Sequence, residues 1–125
     1  MEYKESIEIT EELVEKFAEI TGDKNPIHMD GKYAESTIFG KRIAHGMLVA
    51  SYFSKIIANV YPGEGSIYVS QSLQFIKPCY IGETLMYVIN LIKKDKNKYF
   101  IKTETFNKNK ELILTGEALI IKKEP

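Results

Sequence analysis

The stretch "MLVASYFSKIIAN" at residues 47–59 is apolar over most of its length and contains neither glycine nor proline. A run of this length without a helix breaker predicts an α-helix about 20 Å long. Ser51, Ser54 and Lys55 form its one polar strip, at the spacing i, i+3, i+4. A helix that is apolar almost all round is buried in the protein rather than laid on its surface. The rest of the chain must therefore cover this helix.

Four segments after Pro62 supply the cover, because they are rich in Ile, Val, Tyr, Phe and Thr and several alternate with period two, as β-strands do. They are "SIYVSQSLQFIK" (66–77), "TLMYVINLIKK" (84–94), "KYFIKTETFN" (98–107) and "ELILTGEALIIKK" (111–123). The separators "DKN" at 95–97 and "NKN" at 107–109 are short enough for hairpins, so the pairing is expected to be antiparallel. The sequence predicts an α+β fold in which an antiparallel sheet curls around one long central helix.

The first half of the chain is expected to be helical after a short alternating start. Thr10 is a typical N-cap, the apolar residues at 13, 14, 17 and 18 form one stripe, and Gly22 suits the helix exit. A second, short helix is predicted at residues 32–35.

Composition limits the class of protein. A chain of 125 residues has room for one domain, which we expect to span 1–125. Lysine plus arginine and aspartate plus glutamate both number 17, so no global field attracts nucleic acid or a membrane surface. A single cysteine and two histidines offer neither a disulfide nor a zinc cluster. We expect a cytoplasmic protein, since no targeting or membrane-spanning segment is visible.

The segment "TGDKNPIHMD" at 21–30 holds the residues that could carry chemistry. Asp23 and His28 lie five positions apart, with Asn25 and Pro26 between them. Pro26 fixes its own φ and Asn25 can bond the local backbone, so both side chains can be aimed at one point. The competing interpretation is an ordinary turn, because Gly, Asp, Asn and Pro are all common turn formers. His28 itself could be a buried histidine bonded to a backbone carbonyl.

The residues around the start of the buried helix have similar alternatives. We expect His45 to have a structural role, as a capping or packing residue. Gly46 offers a backbone N–H with no side chain to block approach, which suits a carbonyl oxygen that gains negative charge. Ser54 is expected to bond back to a carbonyl of its own helix. Cys79 is expected to be a buried, inert thiol.

With these residues identified, the chain resembles the MaoC-like (R)-specific enoyl-CoA hydratases, which have the hot-dog fold. The resemblance covers "TGDKNPIHMD" with Ala34 further on, "IAHGMLVASYFSKII" at 43–57 and "PGEGSIYVSQSLQFIKPCYIGETL" at 62–85. The most specific part is the complete Gly-Asp-x-Asn-Pro-x-His motif at 22–28. Departures at Cys79, Tyr80 and Glu83 bear on the preferred acyl length.

The resemblance implies roles for five residues. Asp23 and His28 would be the catalytic pair, with Asn25 supporting their loop. Gly46 would supply the N–H that stabilises an oxyanion, and Ser54 would belong to the hydrogen-bond network behind the pair. The family needs no metal and no cofactor beyond the coenzyme A of its substrate, and it forms a homodimer or a dimer of dimers.

The implied reaction is the reversible addition of water to a trans-2-enoyl-CoA, giving a (3R)-3-hydroxyacyl-CoA. A (3R)-hydroxyacyl-acyl-carrier-protein dehydratase would use the same chemistry on another carrier. A hot-dog acyl-CoA thioesterase and a non-enzymatic acyl-CoA sensor are further alternatives. The acyl length, the pathway and the residue that protonates C2 are left open by the sequence.

Overall fold

The long helix lies in the hydrophobic core of the computed structural model, which describes residues 1–123. Helix α4 spans Gly46–Asn59, and its buried side chains are Leu48, Val49, Ala50, Phe53, Ile56 and Ile57. Tyr87 of the sheet fixes its orientation by donating its buried hydroxyl to the Val49 carbonyl at 2.7 Å. The ring of Phe53 meets the Tyr87 ring edge-on at 5.6 Å. Apolar burial therefore couples the helix to the concave side of the sheet.

The sheet is antiparallel throughout, and its strands follow the order β1-β4-β5-β6-β2, with β3 also pairing to β6. The strands are β1 (Glu2–Glu8), β2 (Ile67–Gln71), β3 (Gln74–Phe75), β4 (Thr84–Asp95), β5 (Lys98–Phe106) and β6 (Leu112–Ile121). Tight hairpins join β4 to β5 and β5 to β6, as the short separators predict. The predicted α+β architecture, a curled sheet around a central helix, is confirmed.

The segment 66–77 was expected to be one strand, and this expectation is wrong. It is divided into β2 and β3 at Ser72 and Leu73. Here the N–H of Glu117 on β6 donates to the Ser72 side-chain oxygen at 2.9 Å instead of to a strand carbonyl. Gly116 allows the close approach, since a Cβ on it would lie 1.8 Å from the Ser72 carbonyl oxygen. A side-chain hydrogen bond between distant parts of the chain thus replaces one backbone bond of the ladder.

Three helices precede α4. Helix α1 (Glu11–Thr21) begins after Thr10, whose side chain accepts from the Leu13 N–H at 3.2 Å, and ends at Gly22 with φ +81°. Both helix ends are therefore as predicted. The following loop contains a one-turn helix, α2 (Pro26–Met29), which the sequence did not indicate, and then α3 (Gly31–Glu35).

One face of α4 is exposed, so the helix is not buried all round. Ser51, Ser54 and Lys55 lie on this face, and Met47 is 57% exposed beside them. Ser51 donates to the Leu48 carbonyl at 2.6 Å, as expected of a helical serine. No helix within residues 1–123 is long and apolar enough to cross a membrane.

Strand β4 offers a matched test of the core, because Ile89 is 0% exposed and Ile92 is 50% exposed. Ile89→Ala should lower the free energy of unfolding by about 2–5 kcal/mol, since it leaves a cavity beneath α4. Ile92→Ala should change it by no more than about 0.5 kcal/mol. Urea denaturation followed by circular dichroism measures both. Equal losses in the two variants would contradict the assignment of the inner face.

Candidate active site

The loop after α1 and the first turn of α4 meet at a cleft of about 530 Å³. Four of the lining residues are the polar or backbone candidates of the sequence: Asp23, His28, His45 and Gly46. The remaining walls are almost entirely apolar, formed by Phe39, Ile43, Ala44, Met47, Val49, Phe75, Ile76, Lys77, Pro78, Cys79, Ile113 and Leu114. The cleft therefore combines a few polar groups with space for a hydrocarbon, as ligand pockets commonly do.

Asp23 follows Gly22, whose backbone is in the left-handed conformation, and it makes its hydrogen bonds within its own loop. Its N–H donates to the Thr21 hydroxyl oxygen at 3.2 Å, and its Oδ1 accepts from the Asn25 N–H at 3.3 Å. The residue is exposed, in contrast to His28 and His45, which are buried. The carboxylate is thus oriented through one oxygen and open to water.

His28 lies on α2 and is 9% exposed. Its Nδ1 is 2.8 Å from the carbonyl oxygen of Ile43. A carbonyl can only accept, so Nδ1 carries the proton and Nε2 retains its lone pair. Desolvation by burial lowers the pKa of His28 below 6.5, although the bond to Ile43 opposes the shift. The charge of His45 lowers this pKa further and that of Asp23 raises it. At neutral pH the imidazole is therefore mainly an uncharged proton acceptor.

Asn25 holds the short helix that carries His28. Its Oδ1 caps α2 by accepting from the Ile27 N–H at 3.4 Å, and its carbonyl accepts from the His28 N–H at 2.9 Å. Pro26 occupies the first helical position, where a missing N–H costs nothing. These interactions explain why Asn25 and Pro26 stand directly at the start of the one-turn helix that carries His28.

Arg42 supports the same loop and was not singled out from the sequence. Its Nε donates to the His28 carbonyl at 2.7 Å, and its Nη1 lies 2.6 Å from an Oε1 of Glu11 on α1. An arginine in this position carries no local signal, because both partners are distant in the sequence. Only the tertiary structure identifies it.

Gly46 begins α4, where the first N–H groups of a helix have no acceptor within the helix. A Cβ at this position would lie 2.7 Å from Cε1 of Phe75, so the phenyl ring of Phe75 occupies the space of a side chain. Gly46, which carries one of these N–H groups, lines the cleft together with Phe75. Such a donor is suited to an oxygen that becomes more negative during a reaction.

His45 precedes α4 at the N-cap position, but its side chain makes no capping hydrogen bond. Its Nε2 instead lies 2.9 Å from the carbonyl oxygen of Asp23. Its ring is 4.0 Å from the His28 ring and 4.9 Å from the Phe17 ring. Of the two structural roles expected for His45, capping is wrong and packing is confirmed.

Ser54 is not brought to the pair within one copy of the chain. It lies eight residues after Gly46, about 12 Å along the helix axis, and it is exposed outside the cleft lining. Within one copy of the chain Ser54 does not reach the pair, and its expected place in the network behind the pair stays a prediction. Periodicity put Ser54 on a polar strip but could not show that this strip faces away from the cleft.

Asp23, His28 and His45 each bring one potential metal-ligand atom to within 4.8 Å of the others. The two imidazole planes are inclined by 31°. Nδ1 of His28 and Nε2 of His45 each bond to a backbone carbonyl oxygen, so each ring has one other nitrogen that could bind a metal ion. The absence of a metal requirement stays a prediction.

Cys79 lines the same cleft but is only 3% exposed. Burial raises the pKa of its thiol to about 12, with a smaller contribution from the charge of Glu83. A thiol with this pKa is almost entirely protonated at neutral pH and is a weak nucleophile. Cys79 is therefore unsuited to act as a nucleophile in the cleft.

Comparison with known proteins gives relatives over most of the chain. It is 39% identical over 123 residues to a mitochondrial 3-hydroxyacyl-[acyl-carrier-protein] dehydratase of Arabidopsis thaliana, covering 94% of this chain and 73% of that protein. It is 38% identical over 109 residues to an (R)-specific enoyl-CoA hydratase of Aeromonas caviae, covering 86% and 81% of the two chains. The structure of the R-hydratase PhaJ1 from Pseudomonas aeruginosa superimposes with a TM-score of 0.95 at 37% identity, covering 100% and 81%.

The family model for the MaoC like domain matches residues 1–114. This range includes every residue of the cleft described above. The relatives and the superposition agree with this match and with the hot-dog architecture of a curled sheet around a helix. The chain therefore belongs to the MaoC-like domain family.

Proposed function

We propose that the protein is an (R)-specific enoyl-CoA hydratase, which adds water to trans-2-enoyl-CoA thioesters to give (3R)-3-hydroxyacyl-CoA and also catalyses the reverse dehydration. One observation carries the proposal: the Asp23 carboxylate, the His28 imidazole and the Gly46 N–H open into one apolar cleft. Two of these groups can exchange protons and the third can stabilise an oxyanion. The hydratases to which the chain is similar support the same reaction.

The pair Asp23 and His28 acts on the water. The water oxygen forms a bond to C3 while one of its protons passes to a basic atom of the pair, either the carboxylate or Nε2 of His28. The electrons of the C2=C3 double bond move towards the thioester and give an enolate. Return of a proton to C2 completes the addition. Which of the two residues returns it is left open.

Gly46 stabilises the enolate between these two proton transfers. Its N–H at the start of α4 would donate to the thioester oxygen, which gains charge when water attacks C3. The partial positive charge of the helix N-terminus acts in the same direction. The apolar walls of the cleft exclude competing water and receive the acyl chain.

The carrier of the acyl group could instead be an acyl carrier protein. The chemistry at C2 and C3 is identical, and the dehydratase of Arabidopsis thaliana is as similar to this chain as the hydratase is. Initial rates on crotonyl-CoA and crotonyl-acyl carrier protein at equal concentration separate the two. A hydratase of the coenzyme A class turns over crotonyl-CoA faster.

We expect a homodimer, because one edge of the sheet exposes mainly charged side chains and the other exposes apolar ones. At the β1 edge the exposed positions are Glu2, Lys4, Ser6 and Glu8. The β2 edge exposes Ile67 by 63% and Val69 by 51%. Unpaired apolar edges invite pairing with another strand, whereas charged edges resist it. We propose that β2 pairs with β2 of a second copy to form the dimer, and that a dimer of dimers is the next level of assembly. We also propose that the protein acts in the cytoplasm.

Crotonyl-CoA should be hydrated mainly to (3R)-3-hydroxybutyryl-CoA without added metal. The expected result is loss of the enoyl-thioester absorbance at a rate unchanged by a chelator, because the proposed acid, base and oxyanion donor all come from the chain. Chiral chromatography of the product assigns C3. Mainly (3S) product, or activity lost in chelator and restored by a divalent metal, would contradict the proposal.

Asp23→Asn and His28→Ala should each lower kcat by about a hundredfold or more, the scale of a lost general acid or base. If both groups hold one water, the double variant should be little worse than the less active single variant. Steady-state kinetics on crotonyl-CoA measure all three, and circular dichroism checks folding.

Asp30→Asn is the matched control for Asp23→Asn. Asp30 is an exposed carboxylate that caps α3, and asparagine caps helices equally well. Its kcat should stay within about twofold of the parent. Near-parental rates in Asp23→Asn or His28→Ala would mean that the loop is only a structural turn. Strictly multiplicative losses would mean that the two residues act in separate steps.

Light scattering at micromolar concentration should give a mass of at least twice the 14.3 kDa of one chain. Val69→Lys should shift the protein towards the monomer, because it places a charge on the apolar β2 edge. Ile92→Lys is the control, since Ile92 is 50% exposed on the inner strand β4. A 14.3 kDa monomer in the parent protein would exclude the dimer.

A further inference from the structure

His45 is a buried titratable group that the proposed reaction does not use. It is 1% exposed, and its Nδ1 has no hydrogen-bond partner among residues 1–123. A buried polar atom without a partner is costly, and an apolar residue would avoid that cost. The side chain also does not cap α4. An imidazole at this position therefore needs a reason other than stability.

The contacts of His45 supply that reason, because they reach both members of the pair by different means. Its Nε2 is 2.9 Å from the Asp23 carbonyl oxygen, so the Nε2 proton is donated to the main chain of the carboxylate residue. Its ring lies 4.0 Å from the ring of His28, with 31° between the planes. Phe17 closes the opposite side at 4.9 Å.

We propose that His45 is a positioning residue for the hydration reaction, which fixes the Asp23 main chain through its Nε2–H and the His28 ring through direct ring packing. The spacing between the carboxylate and the imidazole, and hence the place of the shared water, then depends on His45. The inference rests on the proposed hydratase function. No contact between His45 and the substrate is required.

Four substitutions separate the two contacts. His45→Phe keeps a flat ring against His28 but removes the donor. His45→Gln removes the ring but places an amide N–H at about the reach of Nε2, whereas His45→Asn is one methylene too short. Ser66→Ala is the control, because it also removes a side-chain donor to a backbone carbonyl, that of Gly63, and neither residue lines the cleft.

The expected result is a fall in kcat with little change in KM. His45→Phe and His45→Asn should lower kcat on crotonyl-CoA by about tenfold or more, because small displacements of catalytic groups are costly. KM should stay within about twofold, since substrate contacts are unchanged. His45→Gln should recover at least about threefold over His45→Asn. Ser66→Ala should lower Tm and leave kcat within about twofold.

A purely structural role would make the His45 variants behave like Ser66→Ala. A folded His45→Phe with parental kcat, a rise in KM alone, or equal kcat in His45→Gln and His45→Asn would each overturn the inference. If His45→Phe fails to fold, the kcat values of His45→Gln and His45→Asn are compared instead, and equal values overturn the inference. If the parent protein does not hydrate crotonyl-CoA, the proposed function itself fails, which is a different result from active but insensitive variants.

Discussion

Burial of the first turn of α4 determines where chemistry can take place in this protein. The helix enters the core at Gly46, so its free N–H groups open into an apolar cleft rather than into bulk water. In such surroundings a single N–H is worth more to a developing negative charge than it is at the surface. The same burial stabilises the fold and places Gly46 where the proposed oxyanion contact would form.

The segment 43–45, just before α4, holds the loop that carries Asp23 and His28 against the start of the helix. The N–H of Ile43 donates to the Ile27 carbonyl at 3.2 Å, and its carbonyl accepts from His28 at 2.8 Å. On its other side the segment is tied to the sheet, since the N–H of Ala44 donates to the Cys79 carbonyl at 2.8 Å. His45 also bonds to the Asp23 carbonyl, so the segment links the loop that carries Asp23 and His28 to the start of α4.

The sequence predicted the elements and the motif because both depend on local patterns. The apolar run 47–59, the strand alternation, the caps at Thr10 and Gly22 and the Gly-Asp-x-Asn-Pro-x-His motif could all be identified within short windows. The bond of His45 to Asp23 joins positions 22 residues apart and leaves no local signal. The break at Ser72 likewise depends on Gly116 of a distant strand, and the exposure of Ser54 depends on which face the sheet covers.

Asp23 and His28 are proposed to act from one side of the substrate on one water molecule, since a carboxylate oxygen of Asp23 and a ring nitrogen of His28 lie within 4.8 Å of each other. Hydration of crotonyl-CoA in D₂O tests this most directly, with NMR assigning the configuration of deuterium at C2 relative to the hydroxyl at C3. We expect syn addition, because oxygen and deuterium are delivered from the same face. Anti addition would contradict it, since a second proton donor would then be needed across the cleft.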